Sequence, residues 1–261
     1  MKIESRRNPR IKYVRRLQTS KRFRSQEHAF AAEGTRWLDE SIRSQAEMRF
    51  VLYTADWITS TNRQEQLGEL PVETIEVSSE LMAAISDLET PEGILAVLSM
   101  LDKQIPEDPA MLLIADGISD PGNLGAMIRT AAAAGVGGVI LAPGCVDAYN
   151  PKVVRGGMGA HLHIPLERLA WPDISALTSH LSNWIADKGE HTPYDRVDWT
   201  VPCSLTVGSE ASGPSEMARG MFENRVSIPM NQEVESLNVA VAAGVILFEA
   251  SRQRSAEGVG K

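Results

Sequence analysis

The sequence predicts an α/β protein of two units, a small N-terminal α/β unit followed by a larger one built on a parallel sheet. Three observations carry this. Strands expected at 111–115, 139–142, 205–207 and 226–228 are continuous apolar runs, the pattern of strands covered on both faces. Helical segments alternate with them, as parallel pairing requires. The stretch 102–109, DKQIPEDP, combines two prolines with four charges and reads as a linker. The expected division is therefore 1–101, a linker over 102–109, a second unit over 110–254, and a frayed polar tail over 255–261.

The 261 residues, 43% hydrophobic and 23% charged, suffice for one large or two modest cores. Cys145 and Cys203 stand far apart and outside any CxxC pair, which suggests neither a disulfide framework nor a zinc knuckle. His161 and His163 alternate on an expected strand after Cys145, yet no fourth ligand has metal-like spacing; no metal is expected. The start, MKIESRRNPR, lacks the apolar core of a signal peptide, and a cytoplasmic protein with no membrane partner is the expectation.

From the N-terminus, charge is the first signal. The formal net charge of −8 disfavours a polyanionic partner if spread evenly. Residues 1–24, however, hold ten of the 26 Lys and Arg but only one of the 34 Asp and Glu, an asymmetry that points to nucleic acid. Ile11, Val14 and Leu17 recur at helical spacing among the cations, which predicts a basic amphipathic helix. Arg6, Arg7, Arg10, Lys12, Arg15, Arg16, Lys21, Arg22 and Arg24 are its candidates for neutralising RNA phosphates. A strand at 30–32, a helix at 34–44, a strand at 49–53, a helix at 79–85 and a strand at 93–98 complete the first unit.

Three polar motifs follow, each at the end of an expected strand, where ligands of parallel sheets bind. In 116–131, Asp120-Pro121-Gly122 makes a turn and Asn123 is placed to cap a helix that carries Arg129 among Ala, Met and Ile. A guanidinium there needs a partner or a cleft. In 205–215 a strand ends at Gly208, where a ligand can approach backbone, and Glu210 projects over the edge. In 228–249 an irregular loop bearing Asn238 runs into an apolar helix with small residues at Ala240, Ala242, Ala243 and Gly244. Such a helix is expected to be buried, with Ser236 as its N-cap.

In residue types and spacing these motifs resemble the three signatures of the SpoU/TrmH group of SPOUT RNA ribose 2′-O-methyltransferases: Asn-x-Gly-x-x-x-Arg-Thr-Ala, Gly-x-Glu-x-x-Gly and Ile-Pro-Met followed by Ser-Leu-Asn-Val. The segment 143–161 also resembles that family's stretch between its first two motifs. Residues 3–16, the Ala32-Glu33-Gly34 corner and Thr90-Pro91-Glu92-Gly93-Ile94 resemble the L30e-like substrate-binding domain often joined to it. The resemblance implies a SPOUT domain with a deep trefoil knot, a homodimer packed across it, and S-adenosyl-L-methionine held around Thr206, Gly208, Ile228, Met230 and Leu237. It implies Asn123, Arg129, Glu210, Ser236 and Asn238 as the reaction-site residues and ribosomal RNA as the substrate. The absence of a G-x-G-x-x-G fingerprint agrees with a cofactor held outside a Rossmann site. Ala211 stands where the family often has Gly, which removes no functional group. Two other readings stay open: an RNA-binding protein without activity, and a methyltransferase acting on transfer RNA or on a base nitrogen.

Overall fold

The computed structural model describes residues 2–189, 191–231 and 236–257. They fall into two compact units, 2–101 with Tyr149–Leu162, and Asp102–Ala148 with the residues from His163 onward.

The first unit runs β1 (Lys2–Ile3), α1 (Pro9–Thr19), α2 (Lys21–Glu27), β2 (Ala29–Glu33), α3 (Thr35–Arg43), β3 (Met48–Tyr53), α4 (Ala55–Thr61), α5 (Gln64–Gly68), β4 (Glu73–Val77), α6 (Ser79–Ile85) and β5 (Ile94–Ser99). Its sheet has the order β1-β4-β3-β5-β2. β5 is antiparallel to β2 and β3, and β4 is parallel to β1 and β3. Alternate residues feed two cores. Ala31, Leu52 and Val97 face α1 and α6 residues such as Leu17 and Met82, while Phe30, Val51 and Ala96 pack with Trp37 and Trp57 on the other side.

The basic N-terminal segment is an integral part of this unit rather than an appended arm. Asn8 Oδ1 accepts the Arg10 N–H at 2.8 Å, with Pro9 at the first helical position, where its missing N–H costs nothing. Ile11, Val14 and Leu17 are fully buried. Burial of three aliphatic side chains, at roughly 1.5–3 kcal/mol each, docks α1 firmly.

The second unit begins with β6 (Met111–Asp116), α7 (Pro121–Ala133) and β7 (Gly138–Leu141). The chain then makes α8 (Pro151–Gly157), which belongs to the first unit. It continues with β8 (Leu166–Arg168), α9 (Trp171–Leu177), β9 (Ser182–Ala186), β10 (Thr192–Pro193), β11 (Cys203–Gly208), α10 (Glu216–Met221), β12 (Asn224–Ser227) and α11 (Val239–Glu257). The seven strands are all parallel, in the order β10-β12-β9-β11-β6-β7-β8. Leu112, Ile114 and Ile185 pack under Trp171 and Phe222. α7 and α11 pack together elsewhere in the unit. No helix among the described residues is long and apolar enough to cross a membrane.

Four differences from the sequence expectation have plain causes. The stretch 102–109 is anchored in the second unit: Ile105 is buried, its N–H reaches Glu167 Oε1 at 3.0 Å, and a Cβ on Gly138 would lie 2.7 Å from it. Tyr149–Leu162, expected within 110–254, groups with the first unit because Val154, Leu162 and Tyr149 join the Phe30–Trp37 core. His161 lies on a 3₁₀ turn, not a strand, with its ring 5.5 Å from that of Tyr149. Helix α11 extends through Glu257, past the expected limit at 254, and is not buried all round, since Val241 and Phe248 are each 52% exposed. The rest of the expected tail, 258–261, lies outside the described residues.

Candidate active site

The carboxyl ends of β6, β11 and β12 bring the three motifs together. Gly208 is the register partner of Asp116, so the first two motifs leave the sheet side by side. Asp116 is buried, and its Oδ2 accepts the Ser215 N–H at 2.6 Å. This ties the loop after β11 to the end of β6.

Asp120, not Asn123, caps α7: its Oδ1 accepts the Asn123 N–H at 2.8 Å. The Asn123 carboxamide is thereby left for other work. Its Nδ2 donates to Glu210 Oε1 at 2.5 Å, and its Oδ1 accepts from Asn238 Nδ2 at 2.9 Å. Asn238 Nδ2 also donates to Glu210 Oε1 at 2.8 Å. Its Oδ1 accepts the Ala240 N–H at 3.0 Å and the Val241 N–H at 3.3 Å. Asn238, rather than Ser236, is therefore the N-cap of α11, as the geometry of a side-chain oxygen over the first turn requires. Ser236 is exposed.

Both Nδ2 hydrogens of Asn238 are committed, and its oxygen serves the helix; it holds the site together and has no donor left over. The groups with unused capacity are Glu210 Oε2 and one Asn123 N–H, neither of which has a partner among the described residues.

Beside the cluster lies a cavity of about 790 Å³, lined by Gly208, Glu210, Ile228, Met230, Ser236, Leu237 and Asn238 among others. That volume falls within the range of small-molecule and cofactor sites, roughly 300–1,000 Å³. Gly208 is obligatory here, because a Cβ would fall 2.1 Å from the Gly213 carbonyl carbon and the Pro214 nitrogen. Met230 and Leu237 present apolar surface, 38% and 36% exposed. Four of the five expected cofactor residues thus meet at one wall. The fifth, Thr206, does not: it is fully buried within β11, outside the cavity lining, which takes in only the strand's last two residues, Val207 and Gly208.

Arg129 is exposed on α7 and makes no hydrogen bond or ion pair among the described residues. It is not part of the Asn123–Glu210–Asn238 cluster. Cys145 is buried, accepts the Ile118 N–H at 3.3 Å and donates to Ala115 O at 3.1 Å; burial holds its thiol above the ordinary range. It is a packing residue of the motif-bearing loop.

The expected RNA-binding cations divide. Arg24 is buried and donates to Leu17 O at 2.6 Å and Gln18 O at 3.2 Å, closing the end of α1. It is unavailable to a phosphate. Arg10 pairs with Glu73 at 2.6 Å and lies over the Phe50 ring, and Arg16 lies 3.8 Å over Phe23. Arg6, Arg7, Lys12, Arg15, Lys21 and Arg22 are exposed and form no ion pair among the described residues. Sequence reasoning missed Asp116, Asp187 and Arg219 at the second-unit site. Asp187 follows a half-buried strand with no apolar run, and neither it nor Arg219 falls inside a motif.

Fold and site define an α/β protein whose parallel sheet gathers three polar loops at a cofactor-sized cavity, joined to a unit with a basic helical surface. The chain belongs to the SpoU rRNA methylase family, whose model matches residues 110–248, and residues 8–96 match the MRM3-like substrate binding domain. It is 31% identical to the 23S rRNA (guanosine(2553)-2′-O)-methyltransferase RlmP of Bacillus subtilis, over 94% of this chain and 97% of that protein. It is 30% identical to the mitochondrial rRNA methyltransferase 3 of Homo sapiens, over 94% of this chain and 72% of that one. Among solved structures, the SpoU methyltransferase AviRb of Streptomyces viridochromogenes in complex with AdoMet superposes with a TM-score of 0.86. It is 29% identical to this chain, with 95% of this chain and 99% of AviRb covered.

Proposed function

We propose that the protein is an S-adenosylmethionine-dependent RNA methyltransferase that acts on a ribose 2′-hydroxyl, with ribosomal RNA as its substrate. The observation that carries this reading is the hydrogen-bonded cluster of Asn123, Glu210 and Asn238, whose Glu210 and Asn238 line the 790 Å³ cavity. The relatives and the AdoMet complex of AviRb support the same assignment. Bound in the cavity, S-adenosylmethionine supplies an electrophilic sulfonium methyl group. Gly208 admits it against bare backbone, and Met230 and Leu237 cover its apolar surface. Asn238 and Glu210 fix the Asn123 carboxamide, so the remaining Asn123 N–H and Glu210 Oε2 are preorganised as donor and acceptor for the incoming ribose. Holding the reacting groups in line accounts for several orders of magnitude of rate. Arg129 positions the ribose and its flanking phosphate; a guanidinium with a pKa above about 12 is a poor base. The methyl–oxygen bond forms as the methyl–sulfur bond breaks, and the hydroxyl proton passes to solvent.

The exposed Arg6, Arg7, Lys12, Arg15, Lys21 and Arg22, which form no ion pair among the described residues, neutralise RNA phosphates. The open face of α11, with Val241 and Phe248 exposed, is the surface on which a second copy packs to form a homodimer. We place the knot of the family at the entry of α11 and the protein in the cytoplasm.

The test is incubation of the protein with S-adenosylmethionine and ribosomal RNA lacking the modification, followed by nucleoside mass spectrometry. A 2′-O-methylated nucleoside is expected. A methylated base would move the enzyme to a different reaction, and no incorporation with intact RNA binding would leave an RNA-binding protein.

A further inference from the structure

Two charged residues on the cavity wall, Arg219 and Asp187, form a pair that the chemistry above does not use. Arg219 lies on α10 and Asp187 directly follows β9. The guanidinium donates through Nη1 to Asp187 Oδ2, through Nη2 to Asp187 Oδ1 at 3.1 Å, and through Nε to Pro214 O at 3.1 Å. Pro214 ends the loop that begins at Ser209. That loop is closed on itself by the Ser209 N–H to Gly213 O at 3.1 Å and the Gly213 N–H to Ser209 O at 2.9 Å. The same loop presses on Gly208 and carries Glu210.

Asp187 is itself held from the other side. Its Oδ1 also accepts the Lys188 N–H at 2.9 Å, and its own N–H donates to Val226 O at 3.0 Å, which locks it between β9 and β12. One planar fork thus joins the end of β9, the Gly208–Pro214 backbone and α10. The Asp187 carboxylate is 9% exposed and the Arg219 side chain 41%, so the pair has a sheltered acceptor and a solvent-facing donor. A bidentate fork fixes direction as well as distance, which an ammonium does not.

We infer that Arg219, paired with Asp187, is a positioning residue that holds the Ser209–Pro214 loop in its cofactor-accepting shape and so sets cofactor affinity without touching RNA. The inference rests on the assignment of the cavity to S-adenosylmethionine. Calorimetric titration of wild type, Arg219→Ala, Arg219→Lys and Asp187→Asn with S-adenosylmethionine tests it, alongside ribosomal RNA binding and thermal unfolding of each protein. Arg219→Ala weakens cofactor binding roughly tenfold, a loss on the scale of one charge-assisted contact. Arg219→Lys recovers part of it, and Asp187→Asn, which keeps a hydrogen-bond acceptor, loses less than Arg219→Ala. Combining Arg219→Ala with Asp187→Ala adds little beyond Arg219→Ala, because the two act as a unit. RNA affinity stays at the wild-type value, and each variant keeps a single cooperative unfolding transition with a midpoint above the titration temperature.

Cofactor affinity in Arg219→Ala equal to wild type would overturn the inference. A larger loss in Asp187→Asn than in Arg219→Ala would overturn it too, by assigning Asp187 direct contact with the cofactor. Failure of the wild type itself to bind S-adenosylmethionine would sink the functional reading and the clamp with it, whereas a clamp failure alone leaves wild-type binding intact.

Discussion

Glu33 and Glu210 look alike in sequence, each an acidic residue at a glycine-bearing corner after a strand, yet they do opposite work. Glu33 ends β2, and both of its oxygens are consumed. Oε1 accepts Gln18 Nε2 at 3.2 Å and the Asp87 N–H at 3.0 Å, and Oε2 accepts the Ser86 hydroxyl at 2.6 Å. Burial, the largest influence, raises its carboxyl above the ordinary range. Glu210 is exposed, takes both of its amide donors on one oxygen, and leaves the other for the cavity. A saturated, desolvated carboxylate ties a fold together; one with an unspent oxygen at a cavity is equipped for chemistry. Arg24 and Arg129 repeat the contrast, the first buried among carbonyls and the second exposed, with no hydrogen bond or ion pair among the described residues.

The contrast can be broken by substitution, and the largest effect is expected at Arg129. Arg129→Ala should lower methyl transfer by about 10²–10³-fold through lost positioning and charge stabilisation, with S-adenosylmethionine affinity retained in calorimetry. Turnover at the wild-type rate would remove Arg129 from the site. Glu210→Ala should cost about 10²-fold in turnover, because both carboxamides lose the acceptor that orients them. Unchanged kinetics there would show that Glu210 is as structural as Glu33.

Glu33→Gln should leave turnover per folded molecule intact and cost about 1 kcal/mol of stability in denaturant melts at low pH, the worth of a hydrogen bond made less well. Its pH dependence has a definite sign. A carboxyl raised on folding stabilises most below its unfolded pKa, and that contribution is lost as pH rises through the folded value. Stability of Glu33→Gln should therefore fall less than that of wild type as pH rises across this range; parallel curves would show that Glu33 does not titrate differently on folding. The smallest effect is expected on the basic surface. Arg22→Gln should reduce the salt slope of RNA binding by at most about 0.7–0.9, while Arg24→Gln should lower stability and leave that slope alone. A slope lowered by Arg24→Gln instead would put the buried guanidinium in contact with RNA.

Much of the site was legible because its residues cluster at strand ends inside three short motifs. Gly208, Glu210, Ile228, Met230, Leu237 and Asn238 all meet at the cavity. Placement by proximity in sequence was less reliable. Asn123 and Ser236 occupy cap-like positions, but Asp120 and Asn238 make the caps, since cap geometry depends on where the first turn starts and several polar residues compete for it. Thr206, two positions before Gly208, is fully buried within β11 and stays outside the cavity lining. Asp187 and Arg219 could not be found from spacing at all, because only the fold brings Arg219 on α10 to Asp187, 32 residues earlier in the chain.

By itself the sequence determined the α/β class, the parallel second sheet and the polar motifs at its strand ends, because apolar periodicity and turn chemistry are local properties. It also determined that positive charge is concentrated in residues 1–24. Tertiary structure alone decided which of those charges are spent. Whether Arg24 meets a carbonyl or a phosphate, and whether an Asn keeps a donor for substrate or commits both to its neighbours, depends on groups distant in the chain and on the water excluded between them.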